Sequence, residues 1–102
     1  MDTLAYFFTG ALIANSLPHI TNGVSGRRFH TPFAKPPGRG FSSPVANVLW
    51  GSANLFAAAA LYHLGIDRDP GERIPMGVVS AGFVLTLVVL AWWFGRVNDT
   101  RG

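Results

Sequence analysis

Apolar residues fall along this chain in three long runs, Leu4 to Ile20, Val45 to Leu64 and Met76 to Gly95, with no Asp, Glu, Lys or Arg inside any of them. An α-helix needs about 17 to 25 such residues to cross a hydrocarbon core of about 30 Å, and each run approaches or exceeds that length. The pattern predicts an all-α integral membrane protein, a single domain over residues 1–102 with three transmembrane helices at about 3–22, 44–65 and 75–95. A soluble three-helix bundle would instead show charged residues recurring on one face of every helix. These runs have none.

The breaks between the runs carry their own signals. Pro18 lacks a backbone N–H and its ring crowds the preceding turn, which predicts a kink or a stop in helix 1 and leaves the Ala14 carbonyl without a helical donor. Residues 23–44 form a long Gly/Pro-rich basic loop, too densely punctuated for a helix or a regular strand and longer than the roughly 12–15 residues usual for an unstructured connection. Phe29, Phe33 and Phe41 interleave there with Arg27, Arg28, Lys35 and Arg39. That mixture predicts a segment in the headgroup zone, its rings dipping toward the acyl chains and its cations meeting anionic lipid; whether it re-enters the membrane is open.

Ser43 and Pro44 suit the cap and first turn of helix 2, and Gly65 its end. The short turn Asp67 to Arg73 predicts that helices 2 and 3 are antiparallel neighbours. Trp92, Trp93 and Phe94 followed by Arg96 read as an aromatic belt and a cation at the inner end of helix 3.

Charge sharpens the topology. Only 13% of residues are charged, against about 25% in soluble proteins, and the net charge of +3 is spread over connections, with no basic stripe or tail of the kind that grips nucleic acid. No nucleic-acid partner is expected. Placing the N-terminus outside puts six basic residues inside (Arg27, Arg28, Lys35, Arg39, Arg96, Arg101) and two outside (Arg68, Arg73). The excess of inner cations predicts N-out, C-in, in the cell membrane, the inner membrane where there are two. Met1-Asp2-Thr3 lacks the positive start of a cleaved signal, so the first run is expected to persist as a helix. With no cysteine, disulfides, thiolate nucleophiles and Cys-bound metals are excluded.

Polar side chains within membrane helices are the candidate chemistry, because lipid cannot satisfy them. Asn15, His19 and Asn22 stand at i, i+4 and i+7 on one face of helix 1. Helix 2 carries Asn47 and Asn54, and with the two helices running in opposite directions at about 1.5 Å per residue the two polar faces are expected to meet in the inner half of the membrane. Arg27 and Arg28 follow shortly after and would draw anions to that end. The candidate solute-binding residues are therefore Asn15, His19, Asn47, Asn54, Arg27 and Arg28. The competing role for the asparagines is interhelical hydrogen-bond glue, on the order of 1 kcal/mol per bond.

Other chemistry finds little support. His63 is expected at the opposite end of the membrane from His19 and His30, and no carboxylate accompanies those two, so neither a metal site nor a cofactor is expected. There is no phosphate loop and no intramembrane carboxylate. The chain is not expected to be an enzyme; a histidine acting as a base on lipid is the weakest alternative. Gly10 with Ala14, and Gly77 with Ala81, match the small-xxx-small spacing that lets helices approach closely.

The helix count and Pro18 near the inner end of helix 1 resemble the half-sized sugar transporters called SemiSWEETs, in which two three-helix units form the pathway. Pro18-His19 stands where that family has Pro-Gln, the first connection is longer, and helix 3 lacks an asparagine, so the resemblance gives no residue a role. Three helices cannot enclose a polar pathway alone. The first expectation is thus a small homo-oligomeric membrane protein that binds or passes a small polar or anionic solute between helices 1 and 2. The second, from another class, is a non-catalytic accessory subunit of a larger membrane complex, docking through its basic inner loop.

Overall fold

The computed structural model describes residues 2–98; Arg101, one of the inner cations, lies outside them. Three helices form, α1 (Asp2–Val24), α2 (Pro44–Leu64) and α3 (Met76–Asn98). A short antiparallel pair, β1 (Phe29–His30) and β2 (Phe41–Ser42), lies between α1 and α2. Both α2 and α3 are long and apolar enough to cross a membrane. The equally long α1 carries Asn15, Ser16, Pro18, His19 and Asn22 and is not among the helices apolar enough.

That polarity sits on the central helix. α1 packs against both α2 and α3, while α2 and α3 share no comparable interface. The expectation that the short turn makes α2 and α3 neighbours is thereby corrected: the turn brings only their ends together, and the closest fit is set by glycines along α1. A Cβ on Gly82 would strike the backbone of Phe7, and one on Gly10 the carbonyl of Val79. On the other side a Cβ at Gly51 would lie 3.0 Å from the Ser16 carbonyl oxygen. Gly10 and buried Ala14 behave as the small-residue spacing predicts. Gly77 and Ala81 do not, because Gly77 faces open space and Ala81 is exposed. Gly82, one residue on and so about 100° around the helix, takes the contact.

Pro18 does not end α1, which continues to Val24. Polar groups within α1 turn back on its own backbone: Thr9 Oγ1 donates to the Ala5 carbonyl at 2.8 Å and Ser16 Oγ to that of Ile13 at 2.6 Å. The start of α2 is as the sequence predicts, with Ser43 Oγ accepting from the Ala46 N–H at 3.1 Å and Pro44 in the first turn. Its end is closed by the Gly65 N–H donating to the Leu61 carbonyl at 2.9 Å.

Residues 25–43 fold into a lid over the end of the bundle where α1 and α3 finish. Its strand pair, Phe29 opposite Ser42 and His30 opposite Phe41, corrects the reading that this segment holds no strand. Gly26 and Gly38 turn the chain with φ of 76° and 73°, backbone that side-chain-bearing residues rarely adopt. His30, Thr31 and Ala34 are buried beneath.

The lid's aromatic residues divide. Phe29 packs within the protein, its ring centroid 5.6 Å from His19 and 4.7 Å from Phe94, whereas Phe33 and Phe41 stay exposed. The belt on α3 divides likewise. Trp93 donates its indole N–H to the Gly38 carbonyl at 3.1 Å and Phe94 stacks on His30, while Trp92 remains outside with the Arg96 guanidinium 5.2 Å from its ring centre.

Candidate functional site

The polar residues of α1 and α2 meet as two cross-helix pairs. Asn47, fully buried near the start of α2, places Oδ1 2.8 Å from His19 Nδ1. Its Nδ2 faces three carbonyls, those of Phe29 (3.1 Å), Ser42 (3.2 Å) and Ser43 (3.1 Å). Carbonyls only accept, so this end of the amide is the nitrogen and Oδ1 is the acceptor for a proton on His19 Nδ1. In the neutral ring Nε2 is then an acceptor, and it has no partner among the described residues.

The second pair repeats the logic closer to the N-terminus of α1. Asn54 Nδ2 donates to the Trp50 carbonyl at 2.9 Å, which leaves its Oδ1 to accept from Asn15 Nδ2, also at 2.9 Å. Asn15 Oδ1 is left without a partner among the described residues. Four of the sequence-predicted residues are thus brought together, Asn15 with Asn54 and His19 with Asn47.

A cavity of about 260 Å³ lies under the lid. Its wall takes Asn15 and His19 from α1, Trp50 from α2, Trp93 and Phe94 from α3, and His30 and Thr31 from the lid. Asn47 and Asn54 are not on that wall; each stands behind the residue it orients. His30 is stacked between Phe41 (4.5 Å) and Phe94 (5.3 Å). Its Nδ1 donates to the Arg39 carbonyl at 2.8 Å, so in the neutral ring Nε2, 2.9 Å from the Asn98 side-chain amide, accepts from the nitrogen of that amide. Thr31 Oγ1 lies 2.6 Å from Ser42 Oγ. The lid's polar groups are therefore largely engaged, and the side-chain acceptors of the wall without a partner among the described residues are Asn15 Oδ1 and His19 Nε2, one helical turn apart.

Arg27 and Arg28 are exposed and do not line the cavity. Arg27 instead donates from Nε to Asn22 Oδ1 at 2.9 Å, and Asn22 in turn donates to the Pro18 carbonyl at 2.7 Å, so the third polar residue on the α1 face secures the start of the lid. His63 is exposed on the last turn of α2.

Sequence reasoning missed Trp50, Thr31, Trp93 and Phe94 as wall residues, and it placed His30 without seeing its stacking. Trp93 and Phe94 look like belt residues in any linear reading, and only the fold of the lid turns them inward. No protein-family model, curated protein or solved structure matches this chain.

Proposed function

We propose that this chain is a three-span membrane protein, oriented N-out and C-in, that binds a small polar solute under its lid. Asn15 and His19 touch the solute, and Asn47 and Asn54 hold those two side chains in place. The observation that carries this reading is the pair of unpartnered acceptors, Asn15 Oδ1 and His19 Nε2, on the wall of one cavity. Neither atom is sealed from solvent, since among the described residues only Arg68 Nε is a fully buried side-chain nitrogen or oxygen without a partner, so a solute that donates to both takes the place of water there.

Binding is favoured over passage by what lies beyond the cavity. Toward the other end of the bundle the groove between α2 and α3 is lined mostly by apolar residues such as Ile13, Leu55, Ala58, Ala59 and Val79, with Thr9 and Tyr62 among them; Thr9 already donates to the Ala5 carbonyl, so this lining offers a polar solute few partners. Membrane location is supported by the outer faces of α2 and α3. Only 22% and 6% of their spanning windows are buried, whereas a soluble core helix is covered, and Val84, Leu85, Val88, Val89 and Trp92 stand exposed on α3. Exposed Arg27, Arg28, Lys35 and Arg39 on the lid suit anionic headgroups, each contributing about 1 kcal/mol near such a surface.

The cavity is built within one chain, so binding needs no second copy. The uncovered face of α3 would still serve a homo-oligomer, or a partner membrane subunit. The same face together with the basic lid supports the second reading, a non-catalytic accessory subunit.

Thermal unfolding of the purified protein against a panel of small neutral, anionic and cationic solutes tests the first reading. At least one solute should raise the midpoint as a ligand of the native state does, and Asn15→Leu should remove that response. A wild-type protein indifferent to the whole panel, and recovered only with an unrelated membrane chain that Arg27→Glu and Arg28→Glu release, would replace the first reading with the second.

A further inference from the structure

We infer that the solute under the lid is a single aromatic ring bearing hydroxyl donors, of the hydroquinone class, in preference to an anion or to the oxidised quinone. This rests on the solute-binding reading and adds the ligand's chemistry to it.

Size and wall come first. An apolar cavity of about 150 Å³ takes up benzene, so about 260 Å³ accommodates one substituted ring and little more. Trp50, Trp93 and Phe94 supply much of the wall, and aromatic walls favour a flat aromatic guest through offset and edge contacts.

Polarity then selects the substituents. One N–H of Asn15 Nδ2 is spent on Asn54, Nδ1 of His19 on Asn47, the N–H of His30 on Arg39, and the indole N–H of Trp93 on Gly38. Asn15 Oδ1 and Nε2 of the neutral His19 ring are then the side-chain acceptors without a protein partner, and the second N–H of Asn15 Nδ2 is a donor without one. Trp50 is the wall residue whose indole N–H has no partner among the described residues. No Lys or Arg lines the cavity, so a carboxylate or phosphate would meet acceptors and no countercharge. Two hydroxyl hydrogens match the two acceptors, and a hydroxyl oxygen can still accept from Trp50. A quinone has the same ring but carries only acceptors; it could take an N–H from Asn15 or Trp50 but would leave Asn15 Oδ1 and His19 Nε2 unpaired.

The test compares duroquinol with duroquinone, which differ by two hydrogens, in anaerobic calorimetric titrations of the whole protein in nanodiscs, with protein-free discs subtracted and benzoate and glycerol as further arms. Duroquinol should bind at least about tenfold more tightly than duroquinone, and Asn15→Leu should bring the two to within about threefold. The wild-type comparison needs no variant and stands if Asn15→Leu fails to fold. Equal or tighter binding of duroquinone overturns the inference. Asn15-dependent binding of glycerol or benzoate without duroquinol also overturns it while leaving the solute-binding reading intact. Absence of binding in every arm removes both.

Discussion

Oδ1 of Asn47 accepts from Nδ1 of His19 at 2.8 Å, while Nδ2 of the same amide faces the carbonyls of Phe29, Ser42 and Ser43. One buried side chain therefore ties α1 to α2 and both to the strands of the lid. It also fixes which edge of the His19 ring faces the cavity, so the shape of the lid and the polarity of the wall depend on a single residue.

Replacing that residue should be costly. Asn47→Leu strands the His19 N–H and the carbonyls at the root of the lid, and each unpaired buried group costs about 1–3 kcal/mol. A loss of roughly 3–5 kcal/mol is expected in detergent unfolding. Asn54→Leu, whose partner Asn15 is only half-buried, should cost about 1–2 kcal/mol. Equal and small losses from both would show that the lid is held elsewhere.

The α1–α3 contact makes a matched comparison possible between two glycines on one helix. Gly82→Ala drives a methyl into the backbone of Phe7, an overpacking that typically costs about 1–3 kcal/mol. Gly77→Ala meets open space and should be neutral, or stabilising by up to about 1 kcal/mol through helix propensity. Thermal unfolding of the two single variants decides it; similar midpoints would mean that the helices do not meet at Gly82.

These two cases show what a linear reading can reach. The three helices and the Ser43 cap follow from run length and capping chemistry, which are local, and helical spacing puts Asn15 with His19 on one face and Asn47 with Asn54 on another, but which residue pairs with which does not follow from it. The central position of α1 does not follow, because small-residue spacing fits Gly77 and Ala81 as well as it fits the residues that make contact, and a register one residue away changes the face. The lid was the least legible part. Its order comes from contacts far apart in sequence, His30 with Asn98 and Gly38 with Trp93, and no local pattern announces them.

Trp93 should therefore behave unlike its neighbour. Trp93→Ala removes the hydrogen bond to Gly38 and the ring that lies 5.4 Å from the Arg39 guanidinium. Exposed Trp92 does not line the cavity and makes no hydrogen bond to the lid; its ring stands 6.5 Å from that of Trp93. Limited trypsin digestion should cut after Arg39 at least several-fold faster in Trp93→Ala than in wild type, and at the wild-type rate in Trp92→Ala. Matching rates in both variants would show that the lid is not docked through Trp93.

Orientation is testable without removing any native thiol, because the chain has no cysteine. The basic residues of the lid and C-terminal end number six, counting Arg101, against two in the turn between α2 and α3, and such an excess is retained on the inner side. Single variants Ser25→Cys in the lid and Asp69→Cys in the turn place one thiol at each end of the bundle, both at exposed positions. In intact cells an impermeant maleimide should label Asp69→Cys at once and Ser25→Cys only after the membrane is opened. The reverse pattern would place the lid outside and turn the cavity toward the exterior. Labelling of both before lysis would exclude a membrane-crossing segment between residues 25 and 69, and with it the proposal that α2 spans the bilayer.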